Sequence, residues 1–304
     1  MLIVKGEIRM FQVKGVVPPL ITPLTEDEKI DKDGLRRVIN YVINGGVHGI
    51  FVIGSTGEFY GLSFEEKREV VQIAIKEVDG RVPVYVGASA ITTRDGIKLA
   101  QMAKSEGANA ISVLTPMFIT PNDRELEDHF TAIAQITDLP NILYNNPERT
   151  GVSMKAALVA RLSEIENIVG VKDTSGDMTL TSEYIRLTQG KEFAVMAGKD
   201  TMIFPTLVCG GKGCVAGTAN VLPKLVVEIY EKFISGDLDG ARDAQFRLSL
   251  FRNAYSLGSF PIVPKDALNI LGIKAGHPMR PIQHMTEENQ EKLRVILKEL
   301  NMLA

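Results

Sequence analysis

Ile168-Val169-Gly170-Val171-Lys172-Asp173-Thr174-Ser175-Gly176 is the stretch from which the fold can be read. Its opening residues are apolar and largely β-branched, which reads as a buried strand. The polar, glycine-containing residues after them read as its exit loop. A lysine at the carboxyl end of such a strand is unusual. Ile168, Val169 and Val171 would desolvate its ammonium and lower its pKa, because burial disfavours the charged form. A neutral amine attacks carbonyl carbons, which is what Schiff-base chemistry requires. The alternative is a lysine that snorkels from the strand end to water, and the local sequence does not choose between the two.

Working outward, the same pattern recurs. Apolar, β-rich runs occur at 15–21, 48–53, 82–86, 110–114, 141–144, 168–172, 193–197 and 213–216, and helical periodicity follows each. Ser63 with Glu66 has the form of a capping box, followed by an apolar face of Val70, Val71, Ala74, Ile75 and Val78. Asn122 with Glu125 opens another helix, carrying Leu126, Phe130, Ile133 and Ala134. Leu158, Val159 and Leu162 mark a third. Gly45-Gly46, Gly80, Gly107 and Gly190 read as helix stops. Strands alternating with helices imply parallel pairing through right-handed crossovers. Eight units in roughly 220 residues fit a closed (β/α)8 TIM barrel, which takes about 250. An open doubly wound sheet usually carries a Gly-rich fingerprint after its first strand, where this chain reads Val17-Pro18-Pro19-Leu20-Ile21-Thr22-Pro23. Past Pro223 the strands stop, and 225–234, 238–257, 265–271 and 287–301 read as helices. The expected organisation is an N-terminal extension over 1–11, a catalytic barrel over 12–235 and a C-terminal helical appendage over 236–304.

Composition narrows the function. The 304 residues are 45% hydrophobic and 23% charged, with a net charge of −3. These are values of a soluble globular protein. No block of like charge favours nucleic acid or an anionic membrane. No apolar run approaches the ~20 residues that span a bilayer. Lys5, Glu7 and Arg9 interrupt the N-terminus, so a signal-peptide core is not expected, and Met10 could be an alternative start. Cys209 and Cys214 lie in apolar surroundings and are expected as buried free thiols of a cytoplasmic protein. His48, His129, His277 and His284 follow no metal-ligand spacing. No metal or organic cofactor is expected, and neither a Walker loop nor a nucleophile elbow is present.

In a barrel, function sits on the loops after the strands. Gly54-Ser55-Thr56-Gly57-Glu58 follows the second strand. Its glycines let backbone approach a ligand, and its amides and two hydroxyls could grip a carboxylate, although a plain turn reads alike. Tyr144 ends the fifth strand and Lys172 the sixth. If both point inward, phenol and amine face each other, and the tyrosine could move protons. Arg149 lies in the loop beyond Pro147. It could clamp a substrate carboxylate or form an ordinary ion pair.

These motifs, in this order and spacing, resemble the dihydrodipicolinate synthase/N-acetylneuraminate lyase superfamily over residues 12–300. The match lies in Gly54–Glu58, in Leu143-Tyr144-Asn145 with Pro147, and in Val171-Lys172-Asp173-Thr174-Ser175-Gly176. The resemblance implies a barrel with C-terminal helices, assembled as a homotetramer, a dimer of dimers. It implies a Schiff base between Lys172 and pyruvate or another 2-oxo acid, with Ser55 and Thr56 on the carboxylate. Tyr144 would transfer protons, hydrogen-bonded to Thr56 or Ser55, and the main chain of Val215 would line the pocket. Glu148-Arg149-Thr150-Gly151 and Phe260-Pro261-Ile262-Val263-Pro264-Lys265 look like the synthase branch, whose arginine binds the carboxylate of aspartate semialdehyde. The sequence departs from that branch at Thr115-Pro116-Met117-Phe118, where Phe118 stands in place of a tyrosine that reaches the neighbouring subunit's site. Phe59, Tyr60, Phe64 and Ile91 occupy the region that binds inhibitory lysine in some synthases, so strong lysine inhibition is not expected. An aldolase or dehydratase acting on a 2-keto-3-deoxy sugar acid or a 4-hydroxy-2-oxo acid, or an enzyme like N-acetylneuraminate lyase, is the alternative. A barrel that binds a 2-oxo acid without catalysis is the alternative of another class.

Overall fold

A computed structural model describes residues 12–303, and the expected extension over 1–11 lies outside the described residues. Among the described residues there are eight strands: β1 Gly15–Val16, β2 Ile50–Val52, β3 Val84–Gly87, β4 Ala110–Leu114, β5 Asn141–Asn145, β6 Ile168–Asp173, β7 Ala194–Ala197 and β8 Gly213–Cys214. The helices of the first half are α1 Lys32–Asn44, α2 Phe64–Val78, α3 Thr93–Ser105, α4 Asp123–Gln135, α5 Pro147–Thr150 and α6 Ala156–Leu162. Those of the second half are α7 Met178–Leu187, α8 Ile203–Val208, α9 Pro223–Ile234, α10 Leu238–Asn253, α11 Ile262–Ile270 and α12 Glu287–Glu299.

All the strand pairs are parallel, in the order β1-β8-β7-β6-β5-β4-β3-β2. The two ends of this order meet. Phe51 donates to the Pro18 carbonyl at 2.9 Å, Leu20 donates to the Phe51 carbonyl at 2.8 Å, and His48 donates to the Val16 carbonyl at 2.8 Å. The sheet is therefore a closed (β/α)8 TIM barrel, as the alternation predicts. The first strand is shorter than its apolar run because Pro18 and Pro19 have no N–H for a ladder. The eighth likewise pairs only over Gly213–Cys214.

One apolar layer fills the barrel, with Val17, Phe51, Tyr85, Ile142, Met196 and Val215 among its members, and a second lies between strands and helices. The helix signals locate real ends. Ser63 and Glu66 form a reciprocal capping box, as do Asn122 and Glu125. Val70, Val71, Ala74 and Val78 are buried on α2, and Leu126, Phe130, Ile133 and Ala134 on α4.

Two expectations need correction. The helix expected over 265–271 begins at Ile262, because Pro264 sits in its first turn, where no N–H is required. Both cysteines are free, but only Cys214 is buried; Cys209 is exposed at the end of α8, next to an exposed Val208. Apolar sequence neighbours do not reveal which side of a short helix end meets water. Among the described residues no helix is long and apolar enough to cross a membrane.

Candidate active site

Lys172 and Tyr144 are direct partners in the β5–β6 register. Both side chains are buried, Lys172 at 4% exposure, and the lysine Nζ lies 3.7 Å from the centre of the tyrosine ring. The Phe51 ring, from the barrel interior, stands 5.4 Å from the same Nζ. Alternation sends the next residue the other way. The Asp173 carboxylate instead accepts from Asn145 Nδ2 at 3.0 Å, Ser175 Oγ at 2.9 Å and Thr181 Oγ1 at 2.6 Å, which fixes the β6 exit loop.

The tyrosine hydroxyl accepts from Asn146 Nδ2 at 3.0 Å, and Ser55 and Lys172 also hydrogen-bond to it. Burial pushes the phenol up. The Lys172 charge and these three hydrogen bonds outweigh it, so the phenol titrates below its ordinary value of 10.0. The arrangement favours giving up a proton at this atom. Of the two hydroxyls expected near Tyr144, the bonded one is Ser55. Thr56 is buried and lines the cavity above Lys172.

That cavity, of about 90 Å³, is also lined by Arg149 and Val215. The Val215 amide donates to the Ala197 carbonyl at 2.8 Å, so its N–H is already engaged within the barrel. Arg149 rides on α5, a single turn closed by Gly151 at φ 71°, and its guanidinium stacks 4.8 Å from the Phe260 ring. All six sequence-selected residues thus converge on one place. Asn146 and Phe260 were not selected. Asn146 could have been noticed in Tyr144-Asn145-Asn146-Pro147; the Phe260–Lys265 segment stood out in the sequence, but not its contact with Arg149, which lies over a hundred residues away.

The loop carrying Ser55 and Thr56 is strained at both ends. Ile53 has φ 48° and Glu58 φ 57°. Such conformations cost about 1–3 kcal/mol each and persist where the surroundings enforce them. A Cβ on Gly87 would run into the Ile53 carbonyl oxygen, so only glycine fits at the end of β3. Among the described residues no group of three or more His, Cys, Asp or Glu side chains could hold a metal ion.

A buried lysine and tyrosine face each other at the carboxyl ends of adjacent barrel strands, the arrangement that a class I, Schiff-base lyase requires. The sequence profile of the dihydrodipicolinate synthetase family matches residues 12–300, and the chain belongs to that family. It is 40% identical to a 4-hydroxy-tetrahydrodipicolinate synthase of Methanothrix thermoacetophila, over 96% of this chain and 98% of the relative. Its structure superposes on the dihydrodipicolinate synthase of Thermotoga maritima with a TM-score of 0.93 at 32% identity, over 96% and 100% of the two chains. A prophage protein of the same family from Escherichia coli, solved in complex with pyruvate, gives 0.92 at 32% identity, over 95% and 99%.

Proposed function

We propose that this protein is a cytoplasmic 4-hydroxy-tetrahydrodipicolinate synthase, condensing pyruvate with aspartate semialdehyde. The observation that carries the reading is the buried Lys172–Tyr144 pair, with its phenol below the ordinary range. Lys172 adds through Nζ to the pyruvate carbonyl and water leaves, giving an imine. Loss of a methyl proton gives the enamine, whose carbon attacks the aldehyde; the second substrate's own amine then displaces Nζ from the regenerated imine, closing the ring and freeing Lys172. Tyr144 carries protons to and from the carbinolamine, held by Ser55 and Asn146. Ser55 and Thr56 take the pyruvyl carboxylate and Val215 shapes its pocket. Arg149, flattened against Phe260, presents a planar donor edge to the carboxylate of the second substrate. No metal or organic cofactor enters this scheme.

We further propose a homotetramer, a dimer of dimers. Phe118 is 95% exposed at φ 74°, and Tyr60, Phe64, Ile91 and Ile119 are exposed beside it in sequence or around one groove. An apolar surface of this kind marks an interface.

Phe118 also supports a second reading. Its ring has no hydroxyl to relay protons, which favours an aldolase or dehydratase acting on a 2-keto-3-deoxy sugar acid or a 4-hydroxy-2-oxo acid. A substrate panel separates the two. The synthase reading expects turnover of pyruvate with aspartate semialdehyde above that of any keto-deoxy sugar acid. Robust turnover of the sugar acid with none on aspartate semialdehyde would sink it.

A further inference from the structure

Glu58 and Lys265 are both fully buried and form an ion pair with each other. Neither has a part in the lysine–tyrosine chemistry. Taking two charges out of water is costly, and a well-packed apolar pair would often serve stability as well or better. The pair is therefore better explained by what it holds in place.

Glu58 ends the loop that carries Ser55 and Thr56, and Lys265 belongs to α11 of the C-terminal region. Both charged ends also reach one short strap. Glu58 Oε2 accepts from the Met279 amide at 2.8 Å, and Lys265 Nζ donates to the His277 carbonyl at 2.7 Å. The strap is itself anchored. The His277 amide donates to the Leu24 carbonyl at 2.8 Å, and the His277 ring bonds to His284 at 2.8 Å. His284 in turn bonds to Asp266, the neighbour of Lys265, at 2.5 Å. On the loop's other side Thr22 Oγ1 donates to the Gly57 carbonyl at 2.7 Å. Between these anchors the backbone is turned at Ile53 and Glu58 into the left-handed region, which a β-branched residue adopts only under constraint. Burial pulls Lys265 below the usual lysine range, while Glu58 pulls it back up.

We propose that Glu58 and Lys265 are positioning residues for substrate binding, through which the C-terminal helices hold the Ser55–Thr56 loop in the shape that grips the pyruvyl carboxylate. This rests on reading that loop as the pyruvate grip. The neutral, similarly sized double variant Glu58→Gln/Lys265→Met tests it. Its pyruvate half-saturation, read by borohydride trapping on Lys172 and by KM, should rise about tenfold, equivalent to about 1.4 kcal/mol. The KM for the aldehyde should stay within about twofold, a split that general loosening would not produce. Glu58→Gln alone keeps an acceptor for the Met279 amide but leaves Lys265 buried without its partner, and should raise half-saturation at least as much. Leu126→Ala, a cavity in α4 on the barrel's outer layer, should lower the melting temperature and leave pyruvate half-saturation unchanged. Unchanged half-saturation in either pair variant, folded by circular dichroism, overturns the proposal, as does a rise as large in Leu126→Ala. Failure of the unaltered protein to trap pyruvate at all overturns the underlying reading instead.

Discussion

Tyr144 owes its place to strand register. Facing Lys172 across β5 and β6, it meets a positive charge and three hydrogen-bonding groups where burial alone would keep it protonated. Replacing it by phenylalanine keeps the ring against the lysine and removes only the hydroxyl. We expect Tyr144→Phe to fold normally and still form the borohydride-trapped adduct, while kcat falls about 10²- to 10³-fold, the range of a lost general acid–base group. A kcat within about threefold of the unaltered enzyme would remove Tyr144 from proton transfer. In the unaltered enzyme any basic limb of the pH–kcat profile that belongs to this phenol should lie below pH 10.0, and it should vanish in the variant. Arg149→Met should raise KM for the second substrate by about 10²-fold, since a charged bidentate hydrogen bond is worth several kcal/mol, and leave pyruvate trapping unchanged. At this scale the sequence was informative wherever a residue type is chemically out of place, as with a lysine ending an apolar strand. It gave Asn146 no role, although that residue stands two places from Tyr144, and it did not pair Glu58 with Lys265, because some two hundred residues of chain separate them.

Helix α4 shows what one element adds. Its His129 is buried against α3, with Nδ1 2.9 Å from Thr93 Oγ1, and burial pulls the ring down to about 4 from 6.5. Below pH 6.5 the unfolded chain takes up a proton that the folded chain refuses, so stability is lost as pH falls from 6.5 towards 4. The full loss is about 3 kcal/mol at about 1.4 kcal/mol per pH unit. Urea denaturation at pH 7 and pH 4.5 should show His129→Gln losing less stability over that interval than the unaltered protein; equal losses would contradict the assignment. The beginning of α4 was legible from Asn122 and Glu125, because a capping box is a local device. The four residues of α5, which carry Arg149, were not, because one turn has no periodicity to read. The start of α11 was misplaced for a similar reason: a proline read as a barrier is compatible with a first turn.

For the whole molecule, eight repeats of one pattern made the barrel legible, since eight parallel strands bury their apolar faces most completely by closing. The seam between β1 and β2 was not legible, as its bonds run through an irregular, proline-containing segment. The exposed Phe118 belongs to this scale too. Light scattering after gel filtration should give the mass of four chains, and Phe118→Asp should give a smaller species. A monomer for the unaltered protein would contradict the assembly. The measurement that tests the central claim most directly is borohydride reduction of the intact protein with pyruvate, followed by peptide mass analysis beside a Lys172→Ala control. One pyruvyl adduct is expected, on the peptide that holds Lys172 and absent from the control. An adduct on another lysine, or none with any 2-oxo acid, would contradict it.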